Sequence, residues 1–132
     1  MAVGISSYLA NKLLEHAAGK TSFTMPAGCY VKAHTGDPGA AGTSNASSQT
    51  TRSAATWGTA SAGTIALSNV PEFTLTGTET ISHLSFWDAA TSGNFLWSTT
   101  ATASKSGGSG DVIRVSTAPV SLTAVASGPA CL

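Results

Sequence analysis

Residues 81–97, ISHLSFWDAATSGNFLW, decide the fold. Ile81 to Trp87 and Asn94 to Trp97 are short runs rich in aromatic and apolar side chains, separated by the turn-forming residues Asp88 to Gly93. An aspartate can bond the backbone of a tight turn and a glycine can supply a positive φ, so this stretch is predicted to be a β-hairpin. Trp87 and Trp97 are then expected near one another across the ladder, where a large cross-strand pair helps to fix register.

Outward from the hairpin, further short runs have strand character. Cys29 to His34 alternates, with Cys29, Val31 and Ala33 on one face and Tyr30, Lys32 and His34 on the other. Thr51 to Trp57, Thr64 to Leu67, Phe73 to Leu75, Asp111 to Val115 and Val120 to Val125 complete the set, and Lys105 to Gly110 reads as a flexible connection. Strands this short, with turns at this spacing, predict a mainly β protein: an antiparallel β-sandwich or small barrel. Strands do not alternate with helices, which disfavours a doubly wound nucleotide-binding fold.

The start of the chain differs. Ile5, Leu9 and Leu13 recur every four positions, and Tyr8, Leu14 and Ala17 widen that stripe, which predicts an N-terminal amphipathic α-helix over residues 5–18. Ser6 or Ser7 can cap its first N–H groups, while Gly19 and Lys20 supply a stop with a cation at the negative end. So short a helix is marginal alone in water, so its apolar face must be buried on the sheet or on another subunit. The 132 residues suit a single domain: helix 5–18, β-sandwich 28–126 and C-terminal tail 127–132.

Formal net charge is zero and only 9% of residues are charged, against roughly 25% in an ordinary globular chain. No basic face is available to nucleic acid. No segment approaches the ~20 apolar residues of a membrane span, and Met1-Ala2-Val3-Gly4 lacks the basic start of a signal peptide. The expectation is a soluble protein made in the cytosol, with neither nucleic acid nor membrane as partner. Net charge normally keeps monomers apart, so its absence suggests that other protein covers part of the surface. Cys29 and Cys131 are read as free thiols; a bridge tethering the C-terminus, or an intersubunit link through Cys131, is the alternative.

Catalytic groups are scarce. Cys29, His34 and His83 could form a thiol and base, but no local signature accompanies them, and histidines within strands are more often packed or surface imidazoles. His16, Cys29, His34 and His83 lack the paired spacings of a zinc site, and no calcium loop surrounds Asp37 or Asp88. Gly107 to Gly110 is not followed by the Lys-Ser/Thr and helix of a phosphate cradle. No enzymatic activity, cofactor or metal is therefore expected. Tyr30, Trp57, Trp87 and Trp97 remain as core residues or as a platform for a sugar or a protein.

Four blocks carry a resemblance. They are Gly4 to His16, Val31 to Gly39 with its His-Thr-Gly-Asp-Pro-Gly, Ser82 to Trp97 with its Trp-Asp-Ala-Ala-Thr-Ser-Gly-Asn-Phe-Leu, and Thr102 to Lys105. In this order the chain resembles a family of small bacteriophage virion proteins, tail-fibre-like or minor structural proteins common in phages of actinobacteria. The Cys131-Leu132 end departs from that pattern. The resemblance implies a non-enzymatic, multi-copy component of the virion surface. The chain has no repeat or heptad stretch for a fibre stalk, which favours a decorating or capping subunit on the capsid or the tail.

Its expected partners are other virion proteins, the major capsid protein or tail proteins, and further copies in a homo-oligomer. Ile5, Leu9 and Leu13 on the helix, Asp37, Pro38 and Gly39 in the turn, and Trp87 and Trp97 on the hairpin are the candidate contacts. A different class of function is the recognition of a host-surface glycan by Trp87 or Trp97. Ala40 to Gln49 is a long loop of small polar residues, expected to be mobile until neighbouring subunits hold it.

Overall fold

The computed structural model describes residues 3–24 and 28–122. Helix α1 (Ser7–Ala17) precedes strands β1 (Cys29–His34), β2 (Ser53–Ala55), β3 (Thr64–Ile65), β4 (Glu72–Thr74), β5 (Glu79–Trp87), β6 (Phe95–Gly107), β7 (Val112–Arg114) and β8 (Val120–Ser121). The principal sheet has four antiparallel strands in the order β2-β1-β5-β6, and β3 with β8 and β4 with β7 form two small sheets. The protein is mainly β with a short N-terminal helix, as the sequence predicts, and among the described residues no barrel closes. The expected strand end at Thr123 to Val125, the 127–132 tail and Cys131 lie outside the described residues.

The central hairpin forms where its turn chemistry places it. Asp88, 2% exposed, accepts from Asn94 N–H at 2.7 Å and from the Asn94 side-chain amide at 2.8 Å, so the carboxylate closes the loop from within. β1 pairs with β5 so that Val31 lies opposite Phe86 and Ala33 opposite Leu84. Val31, Ala33 and Phe86 have no exposed surface, and Phe73, Leu75 and Val115 from the small β4–β7 end join the same core. Each such side chain of Val or Phe size contributes about 1.5–3 kcal/mol by leaving water.

The two tryptophans of the hairpin do not meet. Phe86 pairs with Trp97, but Trp87 pairs with Phe95, leaving Leu96 as an extra residue in β6. This bulge places Trp97 on the face of Phe86 and Trp87 on the opposite one. A second irregularity separates the Ile81–Lys105 and His83–Thr100 pairs, and beyond it Lys105, Ser106 and Gly107 continue the ladder against Ile81, Thr80 and Glu79. Lys105 to Gly107 is therefore strand and not flexible connection; a Thr80–Ser106 hydroxyl bond of 2.7 Å accompanies the backbone pairing. Only Gly108 to Asp111 turns, with the Asp111 carboxylate accepting from Gly108 N–H at 2.8 Å.

Helix α1 is capped by Ser6, whose Oγ accepts from Leu9 N–H at 3.1 Å and donates to Phe95 O at 2.6 Å. At the other end Lys20 N–H reaches Glu15 O at 2.9 Å and Gly19 N–H reaches His16 O at 3.1 Å, a closing pattern that glycine favours. Ile5 departs from the predicted helix. It is extended and bridges Trp97, while Ser6 N–H bonds Leu96 O at 2.7 Å and Ser98 N–H bonds Gly4 O at 2.9 Å. The residues before the helix thus cover part of the outer edge of β6, which would otherwise present unpaired backbone groups.

Candidate interaction surfaces

Both faces of the principal sheet are covered, and differently. On the α1 side lies an apolar groove of about 1010 Å³, lined among others by Ile5, Leu9, Leu13, Phe23, Trp57 and Trp97. Leu9 is buried against the sheet, whereas Ile5 is 52% and Leu13 38% exposed. The groove wall is aromatic: Phe86 and Trp97 stack with centroids 4.6 Å apart, and Trp57 tilts against both at 6.0 and 5.8 Å. Trp57 is positioned by its bridge to Leu67, outside any named strand.

Cys29 also lines this groove as a free thiol. Burial pushes its pKa up to about 11, against the opposing effect of hydrogen bonds with Trp57 and the Tyr30 backbone, so the sulfur stays protonated and weakly nucleophilic. Cys29 and His34 occupy opposite faces of β1, and the His83 imidazole bonds Ser82 Oγ at 2.8 Å. The geometry does not assemble the thiol and base considered from sequence. Among the described residues no three His, Cys, Asp or Glu side chains come together in a way that could hold a metal ion.

The opposite face carries Tyr30, Lys32 and His34 of β1 against Trp87, Ser85 and His83 of β5. The loop that follows β1 folds back over it. Thr35 N–H bonds Asn45 O at 2.8 Å, Ser44 N–H bonds Pro38 O at 2.9 Å and Ser47 N–H bonds Ala33 O at 3.1 Å. Asp37 Oδ1 accepts from Gly39 N–H at 2.8 Å, the Asn45 amide donates to Asp37 O at 2.8 Å, and Pro38 is fully buried. Gly42, at φ +71°, sits on the Phe95 ring so closely that a Cβ would enter it. The Ala40 to Gln49 segment is thus held by its own chain, which corrects the expectation of a loop shaped by neighbours. Its short polar side chains are not featureless: they satisfy backbone groups that would otherwise need water.

His34 lies beneath this loop without exposed surface. Its Nδ1 is 2.8 Å from Ser44 O and its Nε2 2.7 Å from Ser85 Oγ, which also receives the Trp87 indole N–H at 2.8 Å. A carbonyl only accepts, so the proton sits on Nδ1 and Nε2 accepts from Ser85. Desolvation lowers the His34 pKa, opposed by the Ser44 hydrogen bond and reinforced by Lys32 and His83. Arg52, one of six cationic Lys and Arg residues in the chain, lies 3.9 Å over the Trp87 ring and donates to Ala89 O at 2.7 Å and Ser92 O at 2.6 Å.

Of the residues predicted to make contacts, Ile5, Leu9, Leu13 and Trp97 converge on the groove. Asp37, Pro38, Gly39 and Trp87 belong instead to the opposite face, where Pro38 and Trp87 are buried by the chain itself. Sequence reasoning missed Arg52 and Ser85 as organising residues. A cation within a run of small uncharged residues was the available signal for the first; nothing local marked the second.

No curated protein matches this chain. A family model does, and it spans residues 4–123, including α1, the 35–49 loop and the central hairpin. On that match the chain belongs to the podophage GP4 fiber I protein gp80 family.

Proposed function

We propose that this chain is a single-domain, non-enzymatic fibre component of a bacteriophage virion, tail-associated, joined through its apolar groove to further copies of itself and to other virion proteins. Membership of a phage fibre family supports association with the virion. The observation that carries the contact is the groove: Ile5 and Leu13, which line it, are both exposed. A contiguous apolar surface of this kind in a small protein marks a place of association. Zero net charge removes the repulsion that would keep copies apart.

Immunolabelling of intact particles tests the placement. Label confined to the tail is the expected result, and label over the whole head would replace it with capsid decoration. A second reading, host-glycan recognition, now favours the half-exposed Trp57 and Trp97, since Trp87 is 6% exposed and covered. Retention of the purified protein on host cell walls, lost in Trp97→Ala, would favour that reading over a purely structural one.

A further inference from the structure

The buried imidazole of His34 on β1 adds side-chain bonds to both the 36–47 loop and β5, beside the backbone pairing that joins them. Through Nδ1 it binds the 36–47 loop at Ser44 O, and through Nε2 it binds β5 at Ser85, whose hydroxyl oxygen receives the Trp87 indole N–H. In this arrangement each donor has one acceptor. Adding a proton at Nε2 breaks it: Ser85 Oγ would then face two donors, and its own hydrogen would have to turn to a new acceptor. A positive charge would also enter a site with no exposed surface.

The surrounding charges do not welcome it. Lys32 on β1 and His83 on β5 are the neighbours that act on the ring, and Arg52 lies across Trp87 on the same side. Of the carboxylates, Asp88 is bonded to Asn94 and draws Arg52, while Asp37 Oδ1 accepts from Gly39. Glu79 accepts from Ser47 and Ser48 at the far end of the loop.

We propose that His34 is an acid-sensitive latch: protonation of its imidazole releases the 36–47 loop from the sheet and uncovers Phe95 and the Trp87 beside it. Gly42 of that loop rests on Phe95, and Phe95 packs on Trp87 with centroids 5.5 Å apart, so lifting the loop exposes an aromatic pair next to Arg52.

Amide exchange of the full chain between about pH 7.5 and 4.5, a range bracketing imidazole titration, tests the latch when combined with NMR titration of the three histidines. Protection of the Thr35, Ser44 and Ser47 amides, corrected for intrinsic exchange, is expected to fall about tenfold for each pH unit below the point where the ring begins to bind protons. The fall should follow the His34 imidazole signal while Val31 and Phe86 stay protected. Release through Glu79 would instead follow carboxylate titration, at lower pH. His34→Gln is expected to remove the pH response and His83→Gln to keep it. Unchanged loop protection over the range overturns the proposal. So do loss only together with Val31 and Phe86, loss tracking carboxylates, or an unaltered response in His34→Gln. If His34→Gln does not fold, the coincidence of imidazole and loop midpoints in the unsubstituted protein decides.

Discussion

Gly42 shows how much one residue can carry. Its positive φ suits glycine, and a Cβ would enter the Phe95 ring. Gly42→Ala is therefore expected to destabilise the fold by about 1–3 kcal/mol, as overpacking with added backbone strain does, seen as a lower urea midpoint with an unchanged slope. His34 and Glu79 set the pH response. The His34 pKa is lowered in the folded state by desolvation, so its contribution is complete above the ordinary imidazole value of ~6.5 and is lost as pH falls from there through the lowered folded value. Burial pushes the Glu79 carboxyl up, but hydrogen bonds from Ser47 and Ser48 outweigh it and leave the pKa lowered. Its contribution is present above the ordinary carboxylate value of ~4.3 and is lost as pH falls further. The urea midpoint is expected to hold steady near neutrality and to decline on the acid side, with His34→Gln flattening the first part of that decline; it is expected to fall again above the ordinary thiol value of ~8.5, because burial raises the Cys29 pKa to about 11 in the folded state.

At the scale of elements, the helix and the hairpin were legible and their joins were not. Spacing of Leu9 and Leu13 reveals α1 because a periodic apolar stripe is a local property. Ile5 keeps the same spacing but is drawn into a bridge with Trp97, since an exposed β6 edge competes for its backbone. Asp88 and Gly93 mark the hairpin, yet the Leu96 bulge that parts Trp87 from Trp97 has no local signal; it follows from which side chains the two faces need. Ser6 ties helix to sheet through Leu9 N–H and Phe95 O. Ser6→Ala is expected to cost about 1–2 kcal/mol, near the upper range for a lost cap, with the α1 amides losing protection before those of β1 and β5 in hydrogen exchange.

Across the whole molecule, the groove separates residues that stabilise from residues left free to associate. Leu9 is 7% exposed and packs in the core, whereas Leu13 lines the groove and is exposed. Leu9→Asp is expected to prevent folding, because a charge would be buried without a partner. Leu13→Asp is expected to leave circular dichroism and thermal unfolding nearly unchanged while reducing incorporation into particles. Normal incorporation of a folded Leu13→Asp variant would remove the groove from the proposed contact. The mainly β class, the helix, the central hairpin and the low charge can be read from residue order alone, because periodicity, turn chemistry and composition act over a few neighbouring residues. That Trp87 is buried while Trp97 borders a groove, and that the loop after Asp37-Pro38-Gly39 bonds to its own chain, emerges from packing in three dimensions. Those outcomes depend on partners far along the chain, Phe95 for Gly42 and Ser85 for His34, and no local pattern encodes a contact made at such separation.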